Sequence, residues 1–169
     1  MVTRLSVAVR PSAEVAGLLA VLPRPPVPGV IWSRPEQWLV KVRPLGHVED
    51  RLVPDLGLAL ESALDGAPAV RCALGPATMR LAGQWLAVPV TGLEELGRVV
   101  FEATEPIAPV THPQPFRTDL VLARGRVPAH LAGTPVEASW QCDLVALVAD
   151  RSAPGRPRLV DVLTVPLDR

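Results

Sequence analysis

Proton transfer and nucleophilic attack need imidazole, carboxylate, ammonium or thiol groups held at useful spacing, and this chain offers few. His47, His112 and His130 fall in turn-like or loop-like stretches and share no metal-ligand spacing with one another or with Cys72 and Cys142. The histidines therefore read as solvated loop residues. The two cysteines, both in apolar strand-like segments, read as small buried hydrophobes rather than a disulfide. Asp143, Asp150 and Asp161 flank strands near the end of the chain and read as turn or edge residues. No glycine-rich phosphate loop, zinc-protease helix or serine elbow is present. The unusual residue is Lys41, the only lysine among 17 basic residues, in the middle of "WLVKVRPLG" (38–46). Alternation there puts Trp38, Val40 and Val42 on one strand face and Leu39, Lys41 and Arg43 on the other. One reading makes Lys41 a solvent-facing residue on a half-buried strand. The other makes it a cation aimed into a site.

The chain that must position these groups has 169 residues, enough for one domain or for two small lobes around a shared core. Its net charge is zero, with 49% apolar and 20% charged residues, so any attraction for nucleic acid must come from a local patch. The apolar N-terminal stretch is broken by Arg10, Pro11 and Glu14, and no run approaches the roughly 20 apolar residues of a membrane span. A cytoplasmic protein without a signal peptide is the expectation. Strands are expected at 4–11, 30–33, 38–45, 69–75 and 78–90, the last bent at Ala82-Gly83, then at 118–125, 135–140, 142–149 and 158–166. Helices are expected at 12–22, capped by Ser12, at 49–64 with Pro54 in its first turn, and at 92–104. Strands bunched in hairpins with helices returning between them predict an α+β fold with largely antiparallel sheets. Strand, helix, strands recurs in both halves, which suggests two lobes.

Several runs, taken in order, resemble the two-histidine phosphoesterase superfamily. The branch they resemble is the bacterial RNA 2′,3′-cyclic phosphodiesterases, long labelled 2′-5′ RNA ligases. "PEQWLVKVRPLGHV" aligns without gaps on that branch's first motif segment, and "PFRTDLVLARGR" aligns on its second. "RLSVAVRPSAEV" is similar to its opening strand and helix, and "CDLVALVADRSAPGRPRLVDVLTVPL" to its closing strands. The resemblance covers nearly all of residues 1–169. It implies a single two-lobed, pseudo-symmetric domain, with antiparallel sheets lining a central cleft and helices outside.

Members of that superfamily carry two His-x-Thr motifs facing each other across the cleft, one histidine as base, the other as acid, with threonines holding phosphate. Here the first motif reads Leu39 and Lys41, and the second Asp119 and Val121. None of the four working residue types remains. Leucine cannot move a proton and valine cannot donate a hydrogen bond to phosphate. Each general acid–base step contributes about 10²–10⁴-fold, so the inherited reaction is expected to be close to abolished. The resemblance then implies an inactive homologue, needing no metal or cofactor, whose cleft keeps at most an RNA or nucleotide-phosphate site. Its expected ligand-binding residues are Lys41, Arg43, Asp119 and Arg124. A protein-interaction scaffold with an occluded cleft is the alternative, and altered phosphoester chemistry on Lys41 and Asp119 a third. A monomer is the default.

Two geometric expectations accompany this reading. Strict alternation gives a cleft face of Leu39, Lys41 and Arg43 on one strand and Asp119, Val121 and Ala123 on the other, turning Arg124 away. Lys41 and Asp119, having gained opposite charges, are expected to pair across the cleft. Arg117 and Arg126, at the ends of the second strand, read as solvated.

Overall fold

A computed structural model describes residues 1–113 and 115–168. In chain order its elements are β1 (Val2–Val9), α1 (Ala13–Ala20), β2 (Val30–Trp32), β3 (Val40–Glu49) and α2 (Val53–Leu64). They continue with β4 (Val70–Leu74), β5 (Met79–Leu81), β6 (Trp85–Thr91), α3 (Glu94–Thr104) and β7 (Asp119–Gly125). β8 (Ala138–Cys142), β9 (Leu144–Asp150) and β10 (Leu159–Pro166) close the chain.

Local signals account for most of these boundaries. The Ser12 hydroxyl accepts a hydrogen bond from the Val15 N–H at 3.2 Å, satisfying one of the free donors that begin α1. Pro54 sits in the first turn of α2, where its missing N–H costs nothing. Leu56, Leu60 and Leu64, four residues apart, form the buried stripe of that helix. The expected bend at Ala82-Gly83 is a hairpin turn between β5 and β6. Ala82 and Gly83 have φ of 51° and 69°, and Gln84 N–H donates to the Leu81 carbonyl at 3.0 Å.

Strands run in the order β10-β9-β1-β3-β7-β6-β4-β8, with β2 added to β7 and β5 to β6. Every pairing between these strands is antiparallel. The seam between β3 and β7 carries a single registered pair, Val40 opposite Leu120. The sheet thus consists of two halves, β10-β9-β1-β3 and β7-β6-β4-β8, that meet along that seam. α2 packs on α3 and on β10, α3 on β3, and α1 on β8.

The main core joins both halves and includes Val7, Val40, Leu60, Val88, Leu120 and Leu147, all essentially without solvent exposure. A small second cluster of Ala8, Leu39, Ala146 and Val148, with Leu159 against it, lies on the other face of the first half. A third joins Leu86, Ala123, Val127 and Leu131. Cys72 and Cys142 are buried free thiols. Among the described residues, no helix is long and apolar enough to cross a membrane.

Candidate functional site

Val40 and Leu120 both enter the main core, so the side chains on either side of each must point away from it. In an antiparallel pair, Val40 opposite Leu120 sets Lys41 opposite Asp119 and Leu39 opposite Val121. The four positions singled out by sequence therefore come together at the seam, on the face turned away from the core.

The expected continuation of that face is not what the strands do. Val7 and Ala8 are consecutive on β1, yet their partners on β3 are Arg43 and Lys41, so Val42 is an extra, bulged residue. Leu86 and Ala87 are consecutive on β6, yet their partners on β7 are Ala123 and Val121, so Leu122 is bulged in the same way. Each bulge comes immediately after the second position of its motif, and each inserts its residue into the core. One extra residue reverses the faces that follow it, and on β3 a second one, Leu45, sets them back before His47.

Arg43 consequently leaves the cleft face. It pairs opposite Val7, is 6% exposed, and donates from Nη1 to the Thr104 hydroxyl at 2.5 Å and from Nη2 to the Ala108 carbonyl at 2.6 Å. Its guanidinium carbon lies 4.9 Å from the centre of the Phe101 ring. Burial pulls its pKa down and Glu105 opposes that, but a guanidinium keeps its charge. Arg124 makes the opposite move. It pairs opposite Trp85 on β6 and Ile31 on β2, and so shares the face of Val121 and Asp119. Ala123 turns away into the third cluster.

The expected Lys41–Asp119 pair is also corrected. Asp119 Oδ2 accepts from Arg117 Nε at 2.6 Å, because i, i+2 spacing in an extended chain puts both on one face. Arg117 is thus an ion-pair partner rather than a free surface cation. The other carboxylate oxygen, Oδ1, is buried without a hydrogen-bond partner. Lys41 instead answers to the first half of the sheet. Desolvation, then the Arg4 guanidinium, hold its ammonium below the ordinary lysine range, and Asp150 pulls it partly back. Desolvation pushes Asp150 up, and hydrogen bonds from Ser152 together with the Lys41 and Arg4 charges outweigh it.

Arg4, His47 and Asp150 are functional candidates that the sequence does not reveal. Arg4 pairs opposite both His47 and Asp150, on the β1 face that carries Ala8 and hence Lys41. His47 is therefore a strand residue on the cleft side, not a loop residue. Ile31, 58% exposed, and Trp85, 40% exposed, flank Arg124, and the sequence marks them only as strand residues. Nothing in the linear pattern brings these three together, because the pairing of β2, β6 and β7 is long-range. His112 and His130 lie outside this face, His112 in the loop after α3 and His130 in a short 3₁₀ turn at 129–131. Among the described residues, no group of three or more His, Cys, Asp or Glu side chains is placed to hold a metal.

The chemistry available at the seam follows from this inventory. Lys41 and Asp119 are its titratable groups, Leu39 and Val121 are apolar, and Arg124 supplies a fixed cation beside two exposed apolar side chains. Such a face can hold an anion attached to a flat apolar group. It offers no imidazole at any of the four motif positions.

Neither a protein-family model nor a curated protein sequence matches the chain. Solved structures match over nearly its whole length. Escherichia coli LigT in its apo form superposes with a TM-score of 0.82 at 20% identity, covering 100% of this chain and 99% of that one. LigT complexed with 3′-AMP gives a TM-score of 0.83 at 19% identity, with 100% of both chains covered. TT0787 of Thermus thermophilus gives 0.81 at 19% identity, with 97% of both chains covered. The chain therefore has the fold of these proteins, the α+β, curled antiparallel architecture expected from the resemblance.

Proposed function

We propose that this protein is a catalytically silent relative of the two-histidine phosphoesterases that binds a nucleotide phosphate in the cleft. The reading rests on one observation above all: Arg124, swung onto the cleft face by the Leu122 bulge, stands between Ile31 and Trp85. An arginine offers fixed donors to a phosphate, and the flanking apolar side chains offer a surface to a base or sugar. LigT, which shares the fold, has been solved with 3′-AMP, NADP+ and ATP, which supports a nucleotide as the ligand class.

Silence follows from the side chains at the seam. Leu39 and Val121 carry no exchangeable proton, and Asp119 is engaged by Arg117. Lys41 is an acid, and the carboxylate opposed to it, Asp119, is held by Arg117 rather than poised as the second group of an acid–base pair. The scaffold reading draws on a different observation, the exposure of Ile31 and Trp85, which a protein partner would also cover.

Titration with 3′-AMP, adenosine and inorganic phosphate separates these readings. The expected result is that 3′-AMP binds more tightly than either fragment. Arg124→Ala should then weaken it about tenfold or more, as loss of a charge-assisted contact implies, while Arg126→Ala leaves it unchanged. Absence of 3′-AMP binding, or equal binding by the Arg124 variant, would overturn the nucleotide reading.

A further inference from the structure

The segment that joins α1 to β2, "LPRPPVPGV" (22–30), is shaped by its own covalent chemistry. Pyrrolidine rings fix φ at about −65° at Pro23, Pro25, Pro26 and Pro28. A following proline also pushes Leu22, Arg24, Pro25 and Val27 out of the helical region. Polyproline II, with three residues per turn and no internal hydrogen bonds, meets both restrictions. The chain accordingly forms neither helix nor strand over 23–27.

This strap is fastened to the fold. Val30 N–H donates to the Val27 carbonyl at 3.1 Å and Gly29 has φ of 80°, so the strap closes in a type II turn with Pro28 and Gly29 at its corner. Trp32 Nε1 donates to the Pro25 carbonyl at 3.0 Å, and Arg24 donates to the Ala20 carbonyl at the end of α1 at 2.7 Å. Val27 packs on the cluster of Leu86, Ala123, Val127 and Leu131. With three residues per turn, Arg24 and Val27 share the ridge turned toward the protein. The other two ridges carry Pro23 with Pro26 and Pro25 with Pro28, and all four prolines are exposed. Among the described residues, no hydrogen bond reaches the carbonyls of Pro23, Arg24 or Pro26.

A preformed polyproline II segment with two bare proline ridges selects its partner by shape. It fits a groove walled by aromatic side chains, spaced to take successive prolines, whose indole and phenol donors reach the free carbonyls. Charge narrows the choice, because residues 15–35 carry Arg24 and Arg34 and no acid. A basic groove is repelled, and a carboxylate at the rim is attracted. Arg24 is exposed and uses one nitrogen on Ala20, leaving the rest of its guanidinium for that carboxylate. We propose that residues 23–28 are a docking strap for a protein domain with an aromatic-walled, acidic-rimmed groove of the SH3 type. The strap is ordered before it docks, so binding orders little additional chain. The proposal does not depend on the nucleotide reading of the cleft.

The test titrates the ¹⁵N-labelled protein with an unlabelled SH3 domain that has an acidic groove rim. The same domain with one groove aromatic replaced by alanine is the comparison. The reporters are the Trp32 indole N–H, bonded to the Pro25 carbonyl, and the amides of Arg24, Val27 and Gly29. The expected outcome is saturable shifts of these resonances with a Kd of about a millimolar or tighter, lost with the altered domain. A Pro23→Ala, Pro26→Ala double variant strips one exposed ridge and should weaken binding about tenfold. Arg24→Glu keeps every proline and should weaken binding at least as much. Leu58→Ser, at an exposed apolar residue of α2, should leave binding unchanged. Unmoved reporters, shifts confined to the Ile31 and Trp85 face, or full affinity in either strap variant would overturn the proposal.

Discussion

Arg43 and Lys41 stand two residues apart and meet opposite fates. Arg43 ties β3 to α3 through Thr104, Ala108 and Phe101. Arg43→Met should cost about 2–4 kcal/mol in denaturant unfolding, because it strands buried acceptors, yet leave 3′-AMP affinity unaltered. Lys41 is solvent-exposed, yet desolvation and the Arg4 guanidinium disfavour its charge, so its effect on stability is small. Its folded pKa lies below the unfolded value near 10.5, so the unfolded chain holds the proton more tightly. Stability should therefore rise as pH climbs from the folded pKa toward 10.5. Lys41→Met should be more stable than the native protein at neutral pH, with the advantage shrinking across that alkaline window. Equal stability at all pH values would show that the Lys41 environment carries no strain. Lys41 stood out in the sequence as the lone lysine, but Leu39, Asp119 and Val121 were singled out only by the resemblance of their two segments to a known family. Which partner each charge takes was not legible, because Arg4 and Asp150 reach Lys41 only through strand pairings many residues away in sequence.

At the level of elements, the two bulges decide which arginine serves the core and which serves the cleft. Alternation assumes one residue per step, so a bulge defeats it until a second bulge restores it, as Arg43, Ala123 and Arg124 show on one side of that and His47, beyond the extra Leu45, on the other. By contrast, α1 with its Ser12 cap, the leucine stripe of α2 and the Ala82-Gly83 turn were readable because their signals are local. Ser12→Ala should lower stability by about 1 kcal/mol, and Ser12→Asp should restore it. Gly125 ends β7 at φ +114°, and a Cβ there would lie 2.0 Å from the Gly29 carbonyl oxygen that precedes β2. Gly125→Ala should cost about 2 kcal/mol or more. It should also weaken 3′-AMP binding, since it pries apart the strands that set Ile31 beside Arg124. Unchanged affinity in that variant would mean the β2 edge takes no part in the site.

On the scale of the whole molecule, the fold was legible because its segment order matches a known architecture from end to end, and the 0.82 superposition on LigT confirms that architecture. Chemistry does not follow from architecture. This sheet brings the four positions singled out by sequence together at one seam, where they are Leu39, Lys41, Asp119 and Val121. A net charge of zero leaves attraction for a nucleotide to a few local cations, so 3′-AMP binding should weaken with added salt only modestly, in proportion to one or two phosphate contacts. The cleft is expected to bind without reacting. The most direct test is turnover of an RNA ending in a 2′,3′-cyclic phosphate. It is measured for the native protein beside a variant carrying Leu39→His, Lys41→Thr, Asp119→His and Val121→Thr. No turnover above background is expected from the native protein, and measurable hydrolysis from the variant; hydrolysis by the native protein, abolished by Lys41→Met or Asp119→Asn, would show a reacting cleft instead.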